Sequence, residues 1–328
     1  MNIIDKALNP KKDKYNILTF DTHERYQTQL CKTGHNFYSF RYENCKEWDT
    51  KYAPIPENYY ILPKGLLVHG MYFDFILSQS KFGQFQASQQ INRTLNVPII
   101  SLEHTLPLPD WSNGQLEYFK SMIGDFNVFI SAYSISQWNM NCASSIIHHS
   151  VDTNLFSPRE KPQEDCEHDY VLSVVNDFKN RDHCCNYSGW ERVTAGLKVK
   201  LVGNNPGLSL PAASPEVLAD EYRSAGVFLN TSTVSPVPTS LLEAMACGCA
   251  VVSTATCMIP EIIKNGVNGF CSNDEEELRE YLGLLLYDKD LAKRVGENAR
   301  ATILKNFSEQ EFINKWNSIF DAAYGVKK

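Results

Sequence analysis

The stretch that most limits what this chain can fold into is SPVPTSLLEAMACGCAVVSTATCMIPEIIKNGVNGF, residues 235–270. Pro236 and Pro238 forbid a regular element before Thr239. Thr239 or Ser240 is placed to cap a helix carrying Leu241, Leu242, Glu243, Ala244, Met245 and Ala246, and Gly248 ends it. The run 250–253, with Val251 and Val252 adjacent, is short, apolar and β-branched, and reads as a strand buried on both faces of a parallel sheet. A loop entering a helix at the carboxyl edge of such a sheet suits an anion, because unpaired N–H groups and the helix dipole both favour negative charge. Glu243 falls about one turn into that helix, where a carboxylate repels a phosphate but can accept hydrogen bonds from the two hydroxyls of a ribose. The same spacing also suits a core helix with one solvated glutamate.

The rest of the chain sets bounds. Its 328 residues, 43% of them hydrophobic, are enough for two domains with a core each. A net charge of -7 without a long basic run argues against nucleic acid as the main partner. No apolar run reaches the length of about 18 residues that a membrane span needs. The leader MNIIDKALNPKKDKYN lacks the apolar core of a signal peptide, so a cytoplasmic location is expected, with Lys11, Lys12 and Lys14 as the basic groups for any peripheral membrane contact. The ten cysteines have no metal-ligand spacing and are read as reduced, buried small hydrophobes.

Taken in order, residues 15–20 form a first strand, Asp21 or Thr22 caps a helix that Gly34 stops, and 36–40 form a second strand. This βαβ opening has no Gly-x-Gly-x-x-Gly, so no dinucleotide cofactor is indicated. Residues 65–69 are the next strand, 82–95 a helix, and 97–102 a buried strand with Glu103 and His104 at its carboxyl end, the edge where open α/β sheets place their chemistry. A lone histidine there is more often structural than catalytic. A strand at 127–131 and a helix through Trp138 follow. Pro158, Pro162 and the charges of 159–169 read as the linker, giving domains 1–157 and 158–306. The second half places strands at 169–175, 198–203 and 227–230, a helix at 215–224, and amphipathic helices at 274–286 and 290–305. A last helix within 307–328 carries a stripe of Phe307, Phe312, Trp316, Ile319 and Phe320. The alternation predicts an α/β chain of two Rossmann-like domains facing each other across a cleft.

The segment LLEAMACGCAVV, followed by IPEIIKNGVNGF, resembles the donor-binding signature of the retaining glycosyltransferases of family 4, which have the GT-B fold. In that family the helix glutamate closes a Glu-x7-Glu motif and holds the ribose of a nucleotide sugar. Glu243 matches it, and Ser235 stands where the first Glu is usual. The family's joining segment is matched by Val151, Asp152, Phe156 and Pro158, whereas residues 148–150 depart from it. Of two cations that neutralise the donor diphosphate in the family, Asn176 occupies the Arg position and Arg181 the Lys position, with Lys179 nearby. The family's first Gly-rich loop is replaced by Asp21, Thr22, His23, Glu24 and Arg25, and His104 follows its strand as the family's active-site His follows its own.

The resemblance implies GT-B architecture with the C-terminal helix crossing back to the first domain. It implies a metal-independent, cofactor-free enzyme that moves a sugar from a UDP- or GDP-linked donor to a hydroxyl of a glycan or other acceptor, with retention. His104, Arg181 and Glu243 would be the catalytic set. Asn176, Lys179, Gly203, Ser235, Thr239, Ser240, Leu241 and Glu243 would line the donor, and His23, Glu24 and Arg25 the acceptor side. The uncharged Ser235 and Asn176 also suit a non-catalytic sugar-nucleotide or glycan-binding relative, and an epimerase or phosphorylase of the same fold is a further alternative.

Overall fold

The computed structural model describes residues 13–43, 45–159 and 169–326; Lys11, Lys12 and Pro162 lie outside the described residues. The chain divides into two compact units, Met1–Ser150 with Gln310–Lys328, and Val151–Glu309.

In the first unit, β1 (Asn16–Thr19), β2 (Asn36–Ser39), β3 (Tyr59–Ile61), β4 (Phe75–Ser78), β5 (Ile99–Glu103), β6 (Phe126–Phe129) and β7 (Ser144–Ile146) pair in parallel in the order β3-β2-β1-β4-β5-β6-β7. Between them run α1 (Glu24–Cys31), α2 (Gln84–Leu95), α3 (Asn113–Lys120) and α4 (Ala132–Trp138). The second unit has β8 (Val171–Val174), β9 (Val199–Val202), β10 (Val227–Asn230), β11 (Val251–Ser253) and β12 (Phe270–Cys271), again all parallel, in the order β12-β11-β10-β8-β9. Its helices are α5 (Asp182–Cys185), α6 (Tyr187–Thr194), α7 (Pro215–Ser224), α8 (Thr239–Ala246), α9 (Ile259–Ile262), α10 (Glu275–Tyr287) and α11 (Lys289–Asn306). Central strands such as β4, β10 and β11 are buried along their whole length, as strands covered on both faces must be.

Several local expectations are corrected. No strand forms at 65–69: Gly65 takes a positive φ of 78°, the Leu66 N–H closes a turn onto the Pro63 carbonyl, and Val68–Gly70 is a 3-10 turn. The strands of that region are β3 and β4, on either side of it. Neither Asp21 nor Thr22 caps α1; His23 stands at its N-cap without a side-chain bond. Likewise Thr239 and Ser240 already lie inside α8, whose N-cap is Pro238. The helix α3 was not expected from the sequence, although Ser112 and Gln115 form a reciprocal capping box at its start.

The final helix, α12 (Glu309–Val326), supplies Phe312, Trp316, Phe320 and Ala323 to the core of the first unit, beside Tyr15, Phe37 and Phe75. Polar bonds fix its rotation: Trp316 Nε1 donates to Tyr26 Oη (3.1 Å), Tyr15 Oη donates to Asp321 Oδ1 (2.8 Å), and His35 Nε2 lies 3.0 Å from Asn317 Oδ1. Phe307 is not on this stripe. It precedes the helix, in the second unit, where its carbonyl accepts from the Val151 N–H.

The division at Ser150/Val151 also precedes the boundary read from Pro158. Two arginines give the reason. Arg223 donates to the carbonyls of Leu155 and Ser157, and Arg300 to those of Thr153 and Phe156, so this extended segment is bolted to the second unit.

Gly248 terminates α8 at a φ of 77°, and Gly296 of α11 lets the two backbones touch there: a Cβ on Gly296 would meet the Gly248 carbonyl oxygen at 2.0 Å. Gly296→Ala is therefore expected to cost about 1–3 kcal/mol, read as a lower urea midpoint, while Gly283→Ala on α10, which has open space around its Cβ, is expected to be neutral or slightly stabilising.

Candidate functional site

Open parallel sheets bind ligands outside the carboxyl ends of their strands, where the strand order reverses. In the second unit the reversal falls between β8 and β10, because β9 lies on one side of β8 and the later strands on the other. Asn176, Lys179 and Arg181 follow β8, Gly203 follows β9, and Ser235 to Leu241 follow β10, so all the donor-side residues read from the sequence lie on this edge. The loops are tied together. Thr233 N and Val234 N donate to the Cys184 carbonyl, Thr231 Oγ1 to the Cys185 carbonyl, and Thr254 Oγ1 and Thr256 Oγ1 to the Ser232 carbonyl.

Within this frame the roles divide. Gly203 has a φ of 140°, and any Cβ there would strike the Val175 carbonyl oxygen at 1.9 Å, so its place is to let β9 leave the sheet close to β8. Asn176 Oδ1 accepts from the Asn204 N–H at 2.8 Å and bridges the two loops. Lys179 and Arg181 are exposed, with Lys179 Nζ 5.2 Å from the centre of the Tyr187 ring. Leu241 is buried in the core, which leaves only its main chain for a ligand. Thr239, Ser240 and Leu241 stand in the first turn of α8, ahead of the helical hydrogen-bond ladder.

Glu243 is 6% exposed, and its Oε2 accepts a hydrogen bond from Tyr222 Oη at 2.9 Å. Sequence reasoning missed Tyr222, which projects from α7 and is itself fully buried. Its helical spacing marks a core position, but nothing local pairs it with Glu243.

In the first unit the order reverses between β1 and β4. Asp21, following β1, accepts from Ser39 Oγ (2.7 Å) and Tyr59 Oη (2.5 Å). Gln79, following β4, donates to Thr19 Oγ1 and Gln27 Oε1, and Gln84 donates to Thr22 Oγ1. Glu24 accepts from Lys46 Nζ (2.8 Å) and the Asp49 N–H (3.1 Å), so this carboxylate anchors a loop to the start of α1. Arg25 and His23 are exposed.

His104 differs from these groups. It is 7% exposed, yet neither Nδ1 nor Nε2 has a hydrogen-bond partner among the described residues. Its ring lies edge-on to Tyr26 and to His23, both 4.6 Å between centroids, and 5.8 Å from His149. Beside it, Glu103 is buried and accepts from Thr105 N, Thr105 Oγ1 and Lys81 N. Burial raises the Glu103 pKa and lowers that of Lys81.

Burial, followed by the neighbouring His23 and His149, holds the His104 imidazole well below its ordinary pKa. His149 is half-buried by area, but its ring is enclosed by Tyr26 and His104, and desolvation lowers it to about 3. The unfolded chain binds protons on such imidazoles near pH 6.5 or so. Their folded pKa values being lower, the stability they contribute is complete above that pH and is lost as pH falls. His149→Gln is accordingly expected to flatten the decline of melting temperature below about pH 6.5, measured beside the parent chain.

Among the described residues, no group of three His, Cys, Asp or Glu is arranged to hold a metal ion, and no helix is long and apolar enough to cross a membrane.

Comparison with known proteins adds the family context. The chain is 32% identical over 82 residues to N-acetyl-alpha-D-glucosaminyl L-malate synthase of Bacillus anthracis, a match covering 24% of this chain and 22% of that protein. The chain thus spans about a fifth of the length of that relative. Over nearly its whole length it is similar in structure to a glycosyltransferase from Rickettsia africae ESF-5 (TM-score 0.73, 16% identity, 95% of this chain and 99% of the other). It is similarly close to Anabaena HepE in complex with UDP (TM-score 0.71, 14% identity, 94% and 100%). The chain therefore has the GT-B fold, with two Rossmann-like domains, and its residues 199–302 match the family model described as Glycosyl transferases group 1.

Proposed function

We propose that this chain is a retaining, metal-independent glycosyltransferase that moves a sugar from a nucleoside diphosphate donor to an acceptor hydroxyl. The observation that carries the reading is Glu243, a buried carboxylate oriented by Tyr222 and set one turn inside a helix whose leading N–H groups open at the reversal point of a parallel sheet. Such a pairing offers an anion site and a diol site side by side, the two needs of a nucleoside diphosphate.

In this reading the main-chain N–H groups of Thr239, Ser240 and Leu241 meet the phosphates, and Glu243 takes the ribose hydroxyls. Lys179 and Arg181 offset the charge that grows on the diphosphate as the glycosidic bond breaks. Ser235 meets the donor sugar with a neutral hydroxyl. His104, neutral and with both ring nitrogens unpartnered, contacts the transferred sugar by donating from one nitrogen and accepting at the other, and the leaving phosphate takes the acceptor proton. His23 and Arg25 belong to the acceptor side. The UDP held by HepE, which shares the fold, makes uridine donors the first to test, with GDP-sugars next.

Melting-temperature shifts with UDP-, GDP-, ADP- and CDP-sugars will identify the donor, since a ligand that binds only the folded chain raises its melting point. Glu243→Gln is expected to weaken nucleotide affinity by roughly 10- to 100-fold, with the fold intact. Unchanged affinity would remove Glu243 from the ribose. His104→Ala is expected to lower kcat by roughly 100-fold while donor affinity stays near that of the parent; an equal loss in both would make the residue a binding group only.

A further inference from the structure

A partly exposed aromatic cluster stands near the carboxyl end of β5. The Trp111 and Phe119 rings stack at 4.4 Å and 10°, Phe82 lies 5.1 Å from Phe119, and Tyr118 adjoins at 5.4 Å. Phe82 is 42% exposed and Tyr118 55%. The helix α3, which carries Tyr118 and Phe119, has no fully buried residue: Phe119 packs one side against the core that holds Phe85 and Met122, while Tyr118 stays at the surface, where core packing does not account for it. The cluster is continuous with the carboxyl edge of the first sheet. Phe82 follows Lys81, whose N–H donates to Glu103, and Trp138, in ring contact with Trp111, donates its Nε1 to the carbonyl of Thr105, next to His104.

We infer that these rings form a platform on which a neutral oligosaccharide acceptor stacks its sugar faces. This rests on the glycosyltransferase reading and names its acceptor class. The chemistry of the rim selects the occupant. Gln86 Nε2 donates to Tyr118 Oη at 3.4 Å, an exposed pair at the rim, and the phenolic O–H is left to donate to a sugar hydroxyl. The charges of 105–123 are Asp110, Glu117 and Lys120, and Lys120 is paired with Glu117 at 3.2 Å. No excess of cations is left to draw in an anionic bilayer, which binds through clusters of Lys and Arg. Flat apolar faces with amide edges and little net charge complement a pyranose, which has an apolar face and a ring of hydroxyls.

The test uses the whole chain with maltotetraose, cellotetraose, chitotetraose and mannotetraose, followed by protein fluorescence and calorimetry. At least one of them is expected to bind the parent chain. Phe82→Ala and Tyr118→Ala, at exposed positions that leave the melting temperature unchanged, are each expected to weaken that binding about three- to tenfold. Trp111→Ala, at a half-buried ring, is expected to weaken it further and is compared only if its melting temperature is kept. The inference is overturned if no tetrasaccharide binds, if the two exposed-site variants bind as the parent does, or if the rings engage phosphatidylcholine–phosphatidylglycerol vesicles instead. Melting shifts with nucleotide sugars on the same samples separate the two readings. A chain that responds to a nucleotide sugar but to no glycan keeps the donor site and loses the platform, and the reverse pattern keeps the platform alone.

Discussion

A strand hydrogen-bonded on both sides and covered on both faces offers a ligand nothing except its end. Both sheets of this chain are wholly parallel, so polar side chains that are to meet a ligand have only the carboxyl edges available. The positions of Glu243 and His104 follow from that constraint. One comes one turn into the helix after β10, and the other is the residue after β5. The same constraint places Glu103, the last residue of β5, and Lys81, Lys179 and Arg181, which follow strand ends.

The two edges use their polar groups differently. In the first unit most are spent on one another: Asp21 holds Ser39 and Tyr59, Glu24 holds Lys46, and Gln79 joins Thr19 to Gln27. That network leaves Asp21 Oδ2 and Gln79 Oε1 without a hydrogen-bond partner among the described residues, whereas His104 lacks one at both of its ring nitrogens, each worth about 1–3 kcal/mol unless a ligand supplies its bond. In the second unit the loops are held mainly through main-chain carbonyls, those of Cys184, Cys185 and Ser232, which leaves the side chains of Lys179, Arg181 and Thr239 at the surface. Main-chain ties of this kind fix the shape of an edge without consuming its charge.

Legibility in the sequence followed the range of the forces involved. Helix α7 and strand β10 have the bounds expected of them because Pro215 and Ser224 punctuate the one, and an apolar run of two β-branched or aromatic residues starts the other. Strands β3 and β4 escaped because they are short and flank a Gly-Leu-Leu-Val run that imitates a strand. What ruled that run out was the turn at Pro63–Gly65, together with Leu67, which stays 73% exposed. The edge position of Glu243 was legible from Pro236, Pro238 and Gly248, all local signals. Its partner Tyr222 was not, since the pair is made by the packing of α7 against α8. The histidine cluster was hidden in the same way: His23, Tyr26, His104 and His149 come from distant points of the chain and meet only because β1 and β5 end on one edge.

Departures from the pattern of the family that the chain resembles also acquire a physical meaning. Asn176 stands where a cation is usual, and its side chain closes the gap between the loops after β8 and β9 by accepting from the Asn204 N–H, a bond that a guanidinium, which has no acceptor, could not make. Position 176 therefore exchanges a mobile charge for a fixed loop. In the proposed mechanism the compensation for diphosphate charge then falls on Arg181, Lys179 and the amino end of α8. Of these, only the helix end is held rigidly, and an arrangement with one fixed partial charge and two exposed cations neutralises a leaving group more loosely than a paired-cation site does. In that mechanism the donor site would accordingly depend on Glu243 and Tyr222, the buried pair, for most of its hold on the nucleoside, a hold that every ribonucleotide shares because it is made to the ribose.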